Sequence, residues 1–174
     1  MTKKEFQNLL KQTSNPAHIR SPDEQRGLSL PRQRPIHSAS MIRFSEAVTD
    51  TEIRNAIRSW IDLLAADRYE EAHAQLFRFS DDEWMPDMMR TVVRHYGFIK
   101  PRDDGQTFRV TPRSEAVQKS RRGPHEDVEW FDDGSGVAHF DLPLNGEWSD
   151  VTTIIDIVLQ DKERVLRLND IHVL

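Results

Sequence analysis

The last thirty residues decide the fold: residues 145–174 read NGEWSDVTTIIDIVLQDKERVLRLNDIHVL. Asn145-Gly146 is a strong two-residue hairpin signal, and a long strand is predicted from Asp150 to Leu159. A turn is predicted at Gln160 to Glu163, and a final strand from Arg164 to Leu174. Because such short connections join antiparallel neighbours, this segment predicts a β-meander.

The long strand carries apolar side chains on both faces. Ile154 and Val158 lie beside Asp156 at even positions, and the odd positions are almost wholly apolar. Successive side chains of a strand point to opposite faces, so this pattern predicts a central strand covered on each side. The odd positions are Val151, Thr153, Ile155, Ile157 and Leu159.

Two further strands are predicted upstream, from Asp127 to Phe131 and from Val137 to Leu144, around a turn rich in Asp and Gly. Together with the C-terminal pair they make a meander of three or four strands. The polar segment 98–124 predicts short extended pieces on either side of Asp103-Asp104-Gly105, then a loop or one helical turn.

Helices are predicted before the strands. Thr49 and Glu52 have the spacing of a capping box, and an apolar stripe of helical period follows. Asp67 is predicted to cap a second helix, and Ser80 a third that has Pro86 in its first turn and ends at Gly97. The stripe of the first helix consists of Ile53, Ala56, Ile57, Trp60, Ile61 and Leu64.

The formal net charge of -5 is the sum of two parts of opposite charge. Residues 1–43 carry eight basic and three acidic side chains, whereas residues 44–174 carry 16 basic and 26 acidic ones. The first part is also rich in Pro, Ser and Gln, so it buries too little apolar surface to offset the entropy of ordering. We therefore expect a flexible, largely disordered basic arm at 1–47 and an α+β domain at 48–174.

The arm has two interpretations: a solvated extension that lies along the acidic body, or an arm that reaches an anionic partner or another subunit. Its basic residues form no run and alternate with few aromatics, so it lacks a nucleic-acid-binding signature. A body with a balance of -10 favours cationic partners and argues against nucleic acid.

Composition excludes several functional classes. The chain has no Cys, which removes disulfides, thiol nucleophiles and thiolate metal sites. No apolar run approaches the roughly 20 residues of a spanning helix, and the N-terminus lacks a signal-peptide core. The seven His do not have metal-ligand spacing, and the Gly do not form a phosphate-binding motif. We expect a cytoplasmic protein without metal or cofactor and without membrane contact.

The order of helices followed by a sheet resembles the NTF2-like superfamily, in which a curved antiparallel sheet wraps the N-terminal helices into a cone. Ile53 to Leu64 with Asp67-Arg68-Tyr69-Glu70-Glu71-Ala72 looks like its opening helix and Asp-x-Tyr-x-x-Ala turn. Residues 146–150 and 168–174 resemble segments of an uncharacterised bacterial domain family with this fold. The resemblance covers residues 48–174 and implies a fold, whereas the superfamily's functions are diverse.

Members of this superfamily that are enzymes use an Asp, or a His with an Asp, projecting into the cone. Here His139 and Asp141 share a strand face, Asp156 lies in the middle of the long strand, and Asp170 and His172 lie on the last strand. These residues are the candidates for an isomerase-like or dehydratase-like activity. The alternative is structural, because contacts between His and Asp across strands usually have a structural role.

Three Trp lie next to acidic residues, at Trp84, Trp130 and Trp148. With Glu129 and Asp150 they are candidates for binding a basic partner, because a ring can desolvate the contact that charges steer. The alternative is that the rings fill the cone while their neighbours point outward.

The sequence therefore predicts a non-catalytic binding protein, of immunity or accessory type, whose acidic body engages a basic protein. The alternative is a small-molecule-binding or isomerase-like enzyme that uses the cone cavity. A third possibility is homodimerisation through the open face of the sheet.

Overall fold

In the computed structural model, which describes residues 40–80, 82–118 and 123–174, a short strand and three helices precede a meander of four strands. Most of the predicted basic arm, residues 1–39, lies outside these ranges. The strands are β1 (Arg43–Ser45), β2 (Glu126–Trp130), β3 (Gly136–Leu144), β4 (Glu147–Gln160) and β5 (Glu163–Val173), and the helices are α1 (Asp50–Ala65), α2 (Tyr69–Ala74) and α3 (Pro86–Arg94).

The strands form one curved antiparallel sheet in the order β1-β5-β4-β3-β2. The predicted α+β class and the central position of β4 are confirmed. Arg43–Ser45 pairs with β5, although no strand period marks it in the sequence. Among the described residues of the segment 98–118, the predicted extended pieces form no strand; Val110 makes one bridge to Leu144, and one 3-10 turn follows at Arg113–Glu115.

Helix α1 begins at the predicted capping box. The Thr49 hydroxyl accepts the backbone N–H of Glu52 at 3.3 Å, and the Glu52 carboxylate accepts the backbone N–H of Thr49 at 2.9 Å. Two of the N–H groups that a helix start leaves unpaired are thereby satisfied. The helix buries five of the six stripe residues against the sheet and the other helices: Ile53, Ile57, Trp60, Ile61 and Leu64.

The other two predicted caps are wrong. Asp67 adopts a left-handed φ of 57° and its carboxylate accepts from Arg90 at 3.2 Å, while α2 begins without a side-chain cap. Helix α3 also begins without a side-chain cap. Its N-cap residue is Met85, and Pro86 is its first residue, within the first turn as predicted. The Asp67 carboxylate thus pairs with Arg90, 23 positions along the chain, instead of capping α2.

The space between helices and sheet is filled by side chains. On β4 the odd-numbered residues 151 to 157 are fully buried on the helix-facing side, whereas Ile154, Asp156 and Val158 are half-buried on the other face. The second face is thus less covered than predicted. The largest fully buried side chains include Trp60, Met88, Met89, Phe140, Leu142 and Leu166.

Within the described residues, no helix combines the length and the apolar character needed to cross a membrane.

Replacing Thr49 with Ala should lower the free energy of unfolding by about 1 kcal/mol, because the Glu52 N–H loses its acceptor. Urea denaturation measures the change. Thr51→Ala, on an exposed neighbour outside the cap, is the matched control and should change stability much less. Equal losses in the two variants would contradict the role of the cap.

His73 on α2 makes the free energy of unfolding depend on pH. Its side chain is buried, and this burial lowers the pKa of His73, with the Arg78 guanidinium acting in the same direction. The unfolded chain therefore binds a proton at His73 more readily than the folded chain does. The free energy of unfolding should fall as pH drops below about 6.5.

Urea denaturation between pH 5 and 7 measures this pH dependence of the free energy of unfolding. His73→Gln should reduce the acid-side loss of stability relative to wild type, whereas His139→Gln, on the far face of the sheet, controls for loss of a histidine as such. An unchanged pH slope in His73→Gln would contradict the assignment.

Candidate functional site

A cleft of about 470 Å³ opens where the first residues of β2 and β4 meet the last residues of β3 and β5. It lies outside the filled space between helices and sheet. Its walls include His125, Asp127, Asp141, Trp148, Asp150 and Thr152.

The hairpin between β3 and β4 positions one wall. Asn145 and Gly146 have φ values of 52° and 87°, so both central residues of the turn are left-handed, as a tight primed turn requires. The register shifts between Asp141 and Pro143, which has no backbone N–H to contribute to the ladder. This irregularity and the turn bring Trp148 to the cleft wall.

Asp141 holds the two sides of the cleft together. One carboxylate oxygen accepts the backbone N–H of His125 at 2.7 Å, and the other accepts the hydroxyl of Thr152 at 2.6 Å. The His125 ring in turn places Nε2 2.6 Å from the Asp127 carboxylate. Asp141 therefore positions the cleft walls. The Asp127 side chain remains 66% exposed.

Asp150 connects the cleft to the turn that follows helix α3. The Tyr96 hydroxyl donates to the Asp150 carboxylate at 2.5 Å, and the backbone N–H of Leu174 donates to the Asp150 carbonyl at 3.1 Å. Burial, and next the hydrogen bond to Asp150, raise the pKa of Tyr96 to about 12. The phenol stays protonated and the Asp150 carboxylate keeps a fixed donor over the whole physiological pH range.

The charge of the cleft is negative over the residues that the structure describes. Four carboxylates line it and, within those ranges, no Lys or Arg does. Glu126 is neutralised by Arg58 at 2.5 Å and Arg113 at 3.1 Å. Asp127, Asp141 and Asp150 remain, so the cleft favours a cationic group over an anionic one.

The candidate catalytic residues lie on the sheet face that points away from the helices. In the register, His139 on β3 and Asp170 on β5 lie on opposite sides of Ile154 of β4. Asp156 of β4 lies between Val137 of β3 and Arg167 of β5. In this register Asp156 is a diagonal neighbour of His139 and lies four positions along β4 from Thr152, the partner of His172.

These residues make side-chain contacts with one another and with neighbouring strands. The Asp156 carboxylate accepts from Asn169 at 2.9 Å and lies 3.6 Å from Arg167. His172 Nδ1 lies 3.3 Å from the Asp170 carboxylate. His139 stacks on His125, with ring centroids 5.8 Å apart.

Of the three candidate Trp, Trp148 lines the cleft. Trp84 is buried and donates its indole N–H to the Asn169 carbonyl at 2.7 Å. Trp130 donates its indole N–H to the Asp50 carboxylate at 2.7 Å. The ring lies against Gly136, where a Cβ would come 3.1 Å from it, and the Arg164 guanidinium lies 4.8 Å from the ring centroid. These two rings contact the interior and the sheet.

Among the candidate acids, Asp150 joins Trp148 in the cleft, and Glu129 is exposed on β2 outside it. Sequence reasoning did not select His125, Asp127 or Thr152. The sequence signal for His125 and Asp127 is their i, i+2 spacing at the start of a strand. That spacing indicates a binding site only when the pairing of the strand with Asp141 is also known.

Among the described residues, no group of three His, Asp or Glu side chains is arranged to hold a metal ion.

Comparison of the chain with protein-family models, with curated protein sequences and with solved structures gave no match.

The Tyr96–Asp150 hydrogen bond gives a spectroscopic prediction. Tyr69 and Tyr96 are the two tyrosines of the chain, and burial raises the pKa of Tyr69 as well. In an alkaline ultraviolet titration of the folded protein, neither should ionise near pH 10. Because the fold holds Tyr96 neutral, stability should decline as pH rises above about 10 toward 12.

Asp150→Asn should lower the pKa of Tyr96 without returning it to 10, since burial is the larger cause and remains. Asp127→Asn, which changes the same cleft without touching Tyr96, should leave the titration unchanged. A Tyr96 curve that is identical in Asp150→Asn and wild type would contradict the assigned hydrogen bond.

Proposed function

We propose that this chain is a non-catalytic binding protein whose cleft receives a cationic side chain of a basic protein partner. The observation that carries the proposal is the juxtaposition of Asp127, Asp150 and the Trp148 ring in one cleft, with Asp141 holding the walls. An aromatic ring next to carboxylates suits a guanidinium or ammonium group, which gains from both. An accessory or immunity-type role is the concrete form of this function.

We also propose that the domain has the NTF2-like cone fold. The succession of three helices and an antiparallel meander, with the helices on one face of a curved sheet, supports this resemblance.

The catalytic alternative requires a hollow cone lined by the candidate bases. The helix-facing side of the sheet is instead filled by residues such as Trp60 and Phe140, while Asp156, His139 and His172 lie on the opposite face. The geometry favours binding over this alternative, which remains a prediction.

Titration with the blocked tripeptide Arg-Lys-Arg, followed by amide NMR shifts, tests the cleft. The Trp148 indole and the Asp150 amide should shift first. Asp127→Asn combined with Asp150→Asn should weaken binding about fivefold, since each exposed pair contributes about 0.5 kcal/mol.

The matched control is Asp62→Asn combined with Asp103→Asn, which removes the same charge at exposed positions outside the cleft. It should leave the affinity near the wild-type value. Equal weakening in both double variants would mean that net charge alone attracts the peptide, and the cleft would lose its role.

A further inference from the structure

The edge of the sheet formed by β2 is unpaired within the described part of the chain. Strand β2 is last in the sheet order, and among residues 40–80, 82–118 and 123–174 its backbone pairs only with β3. The His125 carbonyl accepts the Asp141 N–H at 3.0 Å, and the Phe131 N–H donates to the Ser135 carbonyl at 2.8 Å. The odd-numbered residues therefore exchange hydrogen bonds with β3, and residues 126, 128 and 130 direct theirs outward.

This edge is strongly acidic. Residues 126–133 read EDVEWFDD, with five carboxylates in eight positions, of which Glu126 is paired with Arg58 and Arg113. Asp127 and Glu129 are exposed on the face that points away from the helices, and Asp127 also lines the cleft. The unpaired backbone edge and the proposed cation site are thus continuous.

We propose that the basic partner binds as an extended strand added to β2, with its cationic side chains next to Asp127 and Glu129. This inference rests on the proposed function for the sign of the partner's charge. Main-chain hydrogen bonds to residues 126, 128 and 130 supply the pairing, and the alternate side chains supply the specificity. One cationic side chain of that strand enters the cleft beside Asp127.

Charge complementarity selects this occupant over two others. A second copy paired through the same edge would set carboxylates against carboxylates, which is destabilising. The chain's own residues 1–39 carry seven basic against three acidic side chains, yet Pro16, Pro22, Pro31 and Pro35 interrupt them, and proline cannot donate to a ladder.

The probe is a blocked octapeptide of alternating Lys and Val, titrated calorimetrically into the full chain at low salt. Its matched control carries N-methyl groups on the Val amides, which retains every charge but removes the donors that face β2. The unmodified peptide should bind about tenfold more tightly than the methylated one. Equal affinities would overturn strand addition and leave charge attraction alone.

Glu129→Lys separates the edge from the cleft, because Glu129 does not line the cleft. It should weaken octapeptide binding about tenfold and leave binding of the tripeptide Arg-Lys-Arg unchanged, whereas Asp62→Lys on helix α1 should affect the octapeptide much less. Unchanged octapeptide affinity in Glu129→Lys would overturn the inference.

The two proposals fail separately. If the tripeptide binds in the cleft but the octapeptide gains nothing over its methylated form, the cleft stands and the added strand is rejected. If the octapeptide binds in a methylation-sensitive way while the tripeptide does not bind, the added strand stands and the cleft is rejected.

Discussion

The burial of one face of β4 is the constraint on which the other elements depend. Val151, Thr153, Ile155 and Ile157 are all fully buried on the helix-facing side, and β4 pairs with β3 on one side and β5 on the other. Slipping either pairing by one residue would turn this set toward solvent. The register that protects it also fixes which polar side chains appear on the opposite face, and hence where a binding site can form.

Two local irregularities adapt that register to the ends of the strands. On β5 the pairing shifts so that Asn169 is the extra residue, which lets Asp170 point outward while Ile171 stays buried. Between the pairs Asp141–Thr152 and Pro143–Trp148 the register of β3 and β4 shifts as well, and there β4 carries the extra residues, next to the cleft. The curvature of the sheet and the position of the cleft wall therefore share a physical cause, since a bulge bends a strand and redirects its side chains together.

Local signals were sufficient for the elements and insufficient for the site. The capping box at Thr49, the helical stripe of α1 and the period of β4 each lie within one continuous segment, so the sequence predicts them directly. The cap predicted at Asp67 is wrong because that residue has a left-handed φ of 57° and its carboxylate pairs with the distant Arg90. The cap predicted at Ser80 is wrong because α3 begins later, after Met85, without a side-chain cap. The cleft depends on His125 meeting Asp141, a contact between strands that no local pattern contains.

The acidity counted from the sequence does not show which carboxylates a partner would meet. Glu126, for example, is matched by two arginines, and Asp82 accepts from Arg167 at 3.0 Å with its side chain 6% exposed. Glu129 and Asp127 are exposed on β2, and the partner of Asp127 is a histidine. Each internal ion pair is neutral and leaves the balance of -10 unchanged, so the carboxylates without a basic partner decide where a cation is attracted. Attraction of a cation is therefore a property of a particular edge and cleft rather than of the whole body.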